Sequence, residues 1–506
     1  MKLLTAEQTR TAEQRAIKNG IQSIRLMENA GSAAVNVIYK NFKIENANAV
    51  VVVGQGNNGG DGYVVARKLK EYGAKVSVLM VMGFPLTPDS NTMYSKALQA
   101  GITIINYYDN VDLADNLISS ANLIVDGIFG IGFHGAVDRE IASIISKINK
   151  ASATKISLDL PSGVVCNSGE VLGEAITADI TVSFIGYKPC DFLYPATNYC
   201  GKTIAVSIGI TQKEEDFLAE VISTDQALKM LSDIPSNAHK GTKGTVGILG
   251  GSYGMAGAPM ISAKAAMRSG GGIVKVAVPK IIYNVCAVML PEAIFVPLEE
   301  NDGALCAQSI VNNIFANIKS MLIGPGMGNN KHTKMALLKS LEMLETPVVL
   351  DADALNIIAS NPNILKDIKV PVIITPHLGE MSKLTGKDIS QIEKDRINTA
   401  LEFSAENGVI TVLKGPYTVI ATPSGKLYIN TTGNEGMATA GSGDMLSGMI
   451  AAFLANGISP ESAAVAATCL HGAAGDFVSE KMGVRGMMVT DMIEALPYIF
   501  KKRFGR

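Results

Sequence analysis

Three short apolar runs in the first half of the sequence end in residues that can bind an anion or transfer a proton. The run AVVVV is followed by GQGNNGGDG, which spans 54–62 and contains five glycines within nine residues. NLIVD and KISLD end at Asp126 and Asp159, and a glycine-containing turn follows each. Amides of a glycine-rich turn can bind phosphate oxygens, and a carboxyl group can act as an acid or a base. The side chains that we expect to line one crevice are Asn57, Asn58, Asp61, Asp126, Asp159 and Ser162.

The glycine-rich turn matches G-x-G-x-x-G through Gly54, Gly56 and Gly59, but this match alone is a weak signal. A nicotinamide-binding dehydrogenase normally adds a carboxylate at the end of the next strand, where it binds a ribose hydroxyl. Here the next run is VSVLMVMG, which contains no carboxylate. The sequence therefore disfavours an ordinary dehydrogenase. Capping of a helix or turn is the alternative role of any single aspartate at these strand ends.

A second set of motifs occurs in the other half of the chain. Segment 241–257 contains seven glycines, and AGSGD at 440–444 precedes an apolar helical pattern. Backbone amides at the positive end of a helix, beside the carboxylate of Asp444, can form an anion site next to a general base. A simple charge–dipole role at the helix start is the alternative for Asp444.

The elements that must position these residues form two α/β series. Between 49 and 208, β-branched runs alternate with helical patterns, which predicts a largely parallel sheet with helices on both faces. Ligands of such sheets lie beyond the carboxyl ends of the strands. A charged and then Pro-containing stretch interrupts the pattern before a second series follows. We predict a Rossmann-like three-layer domain over 1–215, a linker over 216–236 and a second α/β domain over 237–506.

Composition excludes several classes of protein. The chain has 506 residues, 47% of them hydrophobic and only 18% charged, which indicates a globular protein rather than a disordered one. A net charge of −2 provides no basic surface for nucleic acid. The six cysteines lack the spacing of metal ligands. We therefore predict that they are reduced and pack inside the protein. We expect no zinc site, no membrane partner and a cytoplasmic location.

Four motifs of the first half resemble the NAD(P)H-hydrate epimerase family: LMENAG (26–31), GQGNNGGDG (54–62), VDGIFGIG (125–132) and LDLPSG (158–163). The resemblance implies a Rossmann-like fold, with Asp159 as the acid/base residue. It implies a potassium ion bound by Asn58, Asp126 and Ser162, whose oxygen donors suit a hard cation. The hydrate-binding residues that it implies are Asn57, Asn58, Gly59, Gly60, Asp61, Gly130, Ile131, Gly132, Phe133, His134, Gly135, Ala136 and Asp159.

Motifs of the second half resemble the ribokinase-like fold and, within it, the ADP/ATP-dependent NAD(P)H-hydrate dehydratases. They are GSYGMAGAP (251–259), GPGMG (324–328), TPHLGEM (375–381) and KGPYT (414–418). The resemblance implies magnesium, ADP or ATP as co-substrate, and Asp444 as catalytic base. The implied hydrate contacts are Ala258, Gly326, His377 and Asp444. The implied nucleotide contacts are Lys414, Gly415, Pro416, Tyr417, Thr418 and Gly443.

Three residues of the second half keep alternative roles. His377 follows the apolar run PVIIT and is otherwise a polar residue of the core. Asp351 and Asp353 either organise magnesium and phosphate or cap the next helix.

Together the motifs resemble the bifunctional NAD(P)H-hydrate repair enzymes over nearly the whole chain. We therefore expect epimerisation of the R and S hydrates of NADH or NADPH, dehydration of the S hydrate, and a homo-oligomer. The alternative is a vitamin-precursor kinase of the ribokinase-like fold, fused to a non-catalytic N-terminal binding module. The sequence leaves open the choice of ADP or ATP and of NADH hydrate or NADPH hydrate.

Overall fold

The computed structural model describes residues 1–211, 217–311 and 316–505. The chain divides into two compact units, Met1–Glu220 and Val221–Arg506. The predicted domain limits at residues 215 and 216 lie outside the described residues. Within the described ranges, no helix combines the length and the apolar character needed to cross a bilayer.

The first unit contains a seven-stranded sheet in the order β4-β3-β2-β5-β6-β7-β8, and all of its strand pairs are parallel. These strands are β2 (Asn48–Val53), β3 (Lys75–Met80), β4 (Thr103–Asn106), β5 (Leu123–Gly127), β6 (Thr154–Leu158), β7 (Ile180–Phe184) and β8 (Lys202–Val206). The short β1 (Lys2–Leu3) pairs antiparallel with the first half of β9 (Ala219–Ile222).

Helices cover both faces of this sheet. They are α1 (Ala6–Lys18), α2 (Ser23–Asn41), α3 (Asn57–Glu71), α4 (Pro88–Gln99), α5 (Val111–Ser120), α6 (Arg139–Lys150) and α7 (Thr197–Cys200). Side chains alternate along β2: Val51 and Val53 pack with α2, α3 and α4, whereas Val50 and Val52 pack with α5 and α6. The predicted three-layer Rossmann-like fold is confirmed. Because the strand order reverses between β2 and β5, a crevice opens beyond their carboxyl ends.

The second unit has a larger mixed sheet, in the order β20-β19-β18-β17-β16-β15-β10-β11-β12. From β18 to β12 the pairs are parallel, and β19 and β20 add an antiparallel hairpin. The strands are β10 (Thr245–Leu249), β11 (Ile273–Pro279), β12 (Ile294–Leu298), β13 (Glu300–Asn301), β14 (Ala304–Leu305), β15 (Ser320–Ile323), β16 (Val348–Leu350), β17 (Val372–Ile374), β18 (Ile410–Leu413), β19 (Val419–Ala421) and β20 (Leu427–Asn430). β13 and β14 form a separate pair.

Helices alternate with the strands of the second unit as well. They are α8 (Thr224–Met230), α9 (Gly257–Arg268), α10 (Lys280–Met289), α11 (Lys331–Glu342), α12 (Asp353–Ile358), α13 (Ile364–Asp367), α14 (Leu378–Thr385), α15 (Ile389–Lys394), α16 (Arg396–Asn407), α17 (Ser442–Ala455), α18 (Pro460–Met482) and α19 (Val489–Phe504). Two elements, β9 and α8, lie within the predicted linker, and Ile222, Ala227 and Leu228 belong to the core of this unit. Much of that segment is therefore packed.

Small residues allow α17 to lie very close to α9. A Cβ atom at Gly448 would lie 2.2 Å from the carbonyl oxygen of Ser262, so only glycine fits there. α17 is buried on all sides, with Met445, Met449 and Phe453 in the core. Its N-terminus, which carries the GSGD motif, is thereby held at the edge of the sheet core.

Candidate functional site

The glycine-rich turn after β2 is largely the first turn of a helix. We expect α3 to begin at Asp61, but it begins at Asn57, directly after Gly56. A Cβ atom at Gly59 would lie 2.2 Å from the Gly54 carbonyl oxygen, and one at Gly54 would lie 2.2 Å from that of Ile128. These glycines let the helix start touch the ends of β2 and β5. The first amides of α3 are those that a helix leaves available for an anion.

A cavity of about 940 Å³ lies beyond the carboxyl ends of these strands. The predicted hydrate-binding residues that line it are Asn57, Asn58, Asp61, Gly130, Ile131, Gly132, Phe133, His134, Ala136 and Asp159. Gly59 and Gly60 lie behind the cavity wall, where a Cβ atom would meet Gly54 and Met27. Gly135 is in the lining loop with a positive φ of 79°. Apart from the two packing glycines and Gly135, the predicted set comes together in one place.

Asp126 and Ser162 lie beneath the cavity, and our expectation that they line it is wrong. Asp126 is 1% exposed and Ser162 is fully buried. Asp126 Oδ1 accepts a hydrogen bond from Ser162 Oγ at 2.5 Å, and its Oδ2 accepts one from the Ser162 amide at 2.9 Å. Burial raises the pKa of Asp126, and these hydrogen bonds oppose the shift. The strand ends of β5 and β6 are thus joined through one carboxylate.

Asn58 joins the same layer from the start of α3. Its Nδ2 donates to the carbonyl oxygens of Phe129 at 2.7 Å and Leu158 at 3.3 Å. Its Oδ1 is buried without a hydrogen-bond partner among the residues that the structure describes. The amide of Phe129 also donates to Ser162 Oγ at 2.9 Å, so Asn58 and Ser162 meet at the same loop. An unpartnered buried acceptor beside a carboxylate and a hydroxyl matches the donor set of an alkali cation.

Asp159 is held in a strained conformation by a buried lysine. Its φ of 66° lies in the left-handed region that few non-glycine residues adopt. Lys188 is fully buried and donates from Nζ to Asp159 Oδ1 at 2.9 Å. The same ammonium donates to Ser183 Oγ at 3.1 Å and to the Phe184 carbonyl oxygen at 2.8 Å. Sequence reasoning missed Lys188, although it is the only charged residue between 180 and 190.

Two further carboxyl groups face the same cavity. Glu13 lies on α1, whose cavity-lining residues Thr9, Arg10, Glu13 and Ile17 share one helix face. Burial and then the charge of Asp159 raise the pKa of Glu13 to about 7. Burial, Asp159 and Glu13 raise the pKa of Asp61 well above its ordinary value. Glu13 was not predicted, since no motif surrounds it and only the helical spacing with Thr9 and Ile17 points to a shared face.

In the second unit, α17 carries the predicted base at its N-terminus. Gly441 precedes the helix with a φ of 90°, and Asp444 occupies the first turn. Burial, followed by the charge of Asp351, raises the pKa of Asp444 to about 7, while Lys414 opposes this shift. Asp444 therefore changes its protonation state near neutral pH, as a general base requires.

Lys414 connects the strand ends of β16 and β18 to this helix. Its Nζ donates to Asp351 Oδ1 at 2.9 Å and lies 3.9 Å from Glu380 Oε2. A Cβ atom at Gly443 would lie 3.0 Å from Lys414 Nζ, which places the GSGD turn against the lysine. Asp353 Oδ2 accepts the amide of Gly328 at 2.9 Å, and α12 has no side-chain cap. Neither aspartate therefore serves as the cap of that helix.

His377 caps α14 and is not a core residue. Its Nδ1 accepts the amides of Gly379 at 3.0 Å and Glu380 at 3.2 Å, and its side chain is 59% exposed. Burial and the charge of Lys414 lower the pKa of His377, which keeps the ring neutral. Glu380 Oε2 accepts the amide of His377 at 2.9 Å, and burial raises the pKa of Glu380 to about 7. Glu380 is a further acidic residue of this site that the sequence analysis did not select.

The remaining residues that we predict to contact the nucleotide or the hydrate lie near two loops. Gly415 to Thr418 connect β18 to β19, and the Arg396 guanidinium donates to the carbonyl oxygens of Pro416 and Leu413. Gly326 lies against Ala258, since a Cβ atom at Gly326 would be 3.1 Å from that of Ala258. The hydrogen bond from the Gly328 amide to Asp353 links the loop that contains Gly326 to the end of β16, which Asp351 follows directly.

His471 of α18 lies under the GSGD turn. Its Nε2 is 3.3 Å from Ser442 Oγ, and the side chain is buried. Burial lowers the pKa of His471 to about 4. No sequence motif pointed to this residue. Its position next to Ser442 follows from the packing of α18 on α17.

Two family models match the chain. Residues 246–498 match the model described as NAD(P)H-hydrate dehydratase, and residues 23–190 match the model described as YjeF-related protein N-terminus. A bifunctional NAD(P)H-hydrate repair enzyme from Moorella thermoacetica is 36% identical over 95% of this chain and 93% of its own length.

Solved structures resemble the second unit. A ribokinase-like superfamily protein from Enterococcus faecalis is 27% identical over 56% of this chain and 96% of its own, with a TM-score of 0.50. An ADP/ATP-dependent NAD(P)H-hydrate dehydratase from Bacillus subtilis, co-crystallised with ATP and Mg²⁺, is 30% identical over 56% of this chain and 98% of its own, with a TM-score of 0.49. The first of these supports the ribokinase-like fold that the motifs predict.

Replacement of His471 with Gln should change how stability depends on pH. The folded pKa lies below the ordinary value of 6.5, so the unfolded chain binds the proton more readily and stability is lost as pH falls from 6.5 to about 4. We expect the wild type to lose up to about 3 kcal/mol relative to His471→Gln over this window, at about 1.4 kcal/mol per pKa unit. Urea denaturation at each pH measures this difference. His239→Gln, at an exposed position, is the control; equal pH dependence in all three proteins would contradict the prediction.

Proposed function

This chain belongs to the family of bifunctional NAD(P)H-hydrate repair enzymes, and we propose that it has both activities of that family. The first unit would interconvert the R and S hydrates of NADH or NADPH. The second would dehydrate the S hydrate with ADP or ATP as co-substrate. The observation that carries the proposal is that each unit places one carboxyl group, Asp159 or Asp444, at a glycine-rich edge of its sheet, and these are the residues that the family resemblance implies as acid/base groups.

The epimerisation requires a carbon–oxygen bond to break and form again. The ring nitrogen of the hydrate pushes its lone pair toward the neighbouring carbon and expels the hydroxyl, which leaves a planar centre. Water then adds to the other face. Asp159 lines the cavity and is the acid/base residue that the family resemblance implies. The lining loop 130–136 and the start of α3 would hold the nucleotide part of the hydrate.

Asn58, Asp126 and Ser162 would hold a potassium ion beneath the cavity. The unpartnered Asn58 Oδ1, the Asp126 carboxylate and the Ser162 hydroxyl fit such an ion because all three are oxygen donors. When bound, the cation would offset the charge of Asp126 and of the substrate phosphates. The residues themselves already join the ends of β5 and β6 to the start of α3.

The dehydration becomes possible when the hydroxyl of the hydrate is phosphorylated, because phosphate is a better leaving group than hydroxide. In our proposal Asp444 removes the proton of the hydrate hydroxyl, which attacks the terminal phosphoryl group of the nucleotide. The ring nitrogen then expels phosphate as a carbon–nitrogen double bond forms, and loss of a proton from the adjacent ring carbon returns those electrons to nitrogen and restores the reduced nicotinamide. The amides at the start of α17 would stabilise the transferring group, with Gly443 at its first turn. Lys414 to Thr418 would contact the nucleotide, and Ala258, Gly326 and His377 the hydrate. Magnesium would offset the charge between the nucleotide phosphates.

We also propose a homo-oligomer in the cytoplasm. One face of α10 exposes Ile281, Val285, Val288 and Met289 to solvent, an apolar stripe of the kind that subunit interfaces cover. All six cysteines are buried free thiols, which is typical of a reducing compartment.

Asp159→Asn should lower the rate of hydrate epimerisation by about 10²- to 10⁴-fold, because an amide cannot exchange the proton. Chiral chromatography of the two epimers over time measures the rate. The control is dehydration of the S hydrate by the same variant, which should keep its wild-type rate. Full epimerisation by a variant with unchanged folding would contradict the role of Asp159.

Potassium should increase the epimerisation rate of the wild type. We expect half-saturation at a higher KCl concentration for Asn58→Ala, because one oxygen donor is lost. Rates are compared in KCl and in N-methylglucamine chloride at equal ionic strength, with the unchanged enzyme fold checked by circular dichroism. Equal wild-type rates in both salts would count against a potassium site.

Asp444→Ala should abolish nucleotide-dependent dehydration, with a loss of at least about 10²-fold, and leave epimerisation intact. Return of the near-ultraviolet absorbance of reduced nicotinamide reports dehydration of the S hydrate with magnesium and ADP or ATP. Loss of both activities in a folded variant would argue against two independent sites. A stable phosphorylated product from the wild type would instead indicate a small-molecule kinase.

A further inference from the structure

We propose that, in the direction from the R to the S hydrate, Glu13 donates the proton to the departing hydroxyl and Asp159 accepts the proton of the returning water; in the reverse direction the two roles exchange. This inference rests on the epimerase function proposed above and divides its two proton transfers between two carboxyl groups. Both groups line the 940 Å³ cavity of the first unit, Glu13 from α1 and Asp159 from the end of β6.

The contacts of Asp159 make it an acceptor. Its Oδ1 already accepts two hydrogen bonds, from Lys188 Nζ at 2.9 Å and from the Phe184 amide at 3.3 Å. The other two groups that Lys188 contacts within 3.1 Å are a hydroxyl and a carbonyl oxygen, which carry no charge. A proton on Asp159 would remove the carboxylate that is paired directly with the fully buried ammonium and leave only the more distant Asp191, and a weakly paired buried charge is costly. Asp159 is therefore poorly suited to enter the R-to-S reaction as the acid.

Glu13 has the opposite surroundings. It faces the cavity between Arg10 and Ile17 of the same helix, and the structure gives it no buried cation as a direct partner within the described ranges. Burial and the negative charge of Asp159 favour its protonated form, and its pKa of about 7 allows it to lose that proton near neutral pH. The charged and titratable groups around it are Arg10 on α1, Asp61 on α3, and Asp159 with Lys188 from the sheet edge. The other titratable residues of the cavity wall are Asp89, His134 and Asp138.

Asp61 is another carboxyl group of the cavity, and it lies at the start of α3, which in our proposal holds the nucleotide part of the hydrate. Its pKa is raised well above the ordinary value by burial and by both other carboxylates. In its protonated form Asp61 can donate a hydrogen bond to the ligand. Asp138 caps α6 by accepting the Ile141 amide at 2.9 Å, and Asp89 lies in the first turn of α4. Glu13 is therefore the carboxyl group that we assign to proton donation.

The proton transfers balance over one turnover. As the nitrogen lone pair forms the carbon–nitrogen double bond, the carbon–oxygen bond breaks and the Glu13 proton converts the departing hydroxyl to water. Water adds to the other face of the planar carbon, the double bond returns its electrons to nitrogen, and Asp159 takes the proton of the added water. The proton then passes from Asp159 to Glu13, through solvent in the cavity. Inversion needs an acid and a base on different faces of the ring, and Glu13 and Asp159 line the cavity from different elements, α1 and the end of β6.

The test compares Glu13→Gln with Glu7→Gln in the full chain. Glu7 lies on the same helix but is exposed and outside the cavity, so its replacement should leave the rate unchanged. Glu13→Gln keeps the size of the side chain and should lower the epimerisation rate by about 10²- to 10⁴-fold. The wild-type rate should fall as pH rises through about 7, because Glu13 loses its proton there. This fall should be absent from the residual rate of Glu13→Gln and present in Glu13→Asp, which should recover part of the activity.

The outcomes separate the inference from the proposed function. If Glu13→Gln and Glu7→Gln both keep the wild-type rate and pH dependence, the inference is wrong while the epimerase function stands. If Glu13→Asp is as slow as Glu13→Gln and neither shows the pH dependence, a positioning role replaces the acid role. If the wild type interconverts no epimers, the proposed function fails and this inference with it. Dehydration of the S hydrate by each variant reports that the second unit is folded, and a circular dichroism spectrum and thermal transition equal to those of the wild type report the same for the first unit.

Discussion

A lysine paired with one buried carboxylate sets the charge balance at each of the two sites. Lys188 donates to Asp159 in the first unit, and Lys414 donates to Asp351 in the second, both at 2.9 Å. In each case the charge of the lysine is opposed by its partner, so the other carboxyl groups nearby gain little from it. Burial, and then the charge of Asp159 or Asp351, raises the pKa of Glu13 and of Asp444 to about 7, where a carboxyl group can both give and take a proton.

Close packing of backbone is what brings those charges together. Glycines at Gly54, Gly59 and Gly448 leave no room for a Cβ atom against a neighbouring carbonyl oxygen. As a result, α3 starts at the very end of β2, and α17 lies against α9 with its first turn beside Lys414. The glycine excess of the sequence thus serves helix–strand and helix–helix contact as well as loop amides. Anions at these helix starts would meet amides rather than many basic side chains.

Much of the fold was predictable because parallel buried strands appear as continuous β-branched runs. All of β2 to β8 were expected from such runs, and so were the six parallel strands β10, β11, β15, β16, β17 and β18. β12 was missed since its sequence IFVPL is short and contains proline, and the β19–β20 hairpin lies where polar residues interrupt the pattern. The start of α3 at Asn57 was missed because consecutive glycines have low helix propensity, which tertiary packing overrides here.

The sequence by itself determined the family, the two α/β units and the motif residues Asp159 and Asp444, because these follow from local patterns along the chain. Only the tertiary structure decided which other charges act on them. Lys188 is 29 positions from Asp159, and Lys414 is 63 positions from Asp351. Glu13 and His471 carry no motif at all, yet burial and neighbouring groups shift the pKa of each. Coulomb energy depends on the distance between charges in space, and desolvation depends on the exclusion of water. Neither the distance nor the exclusion can be derived from the spacing of residues along the chain.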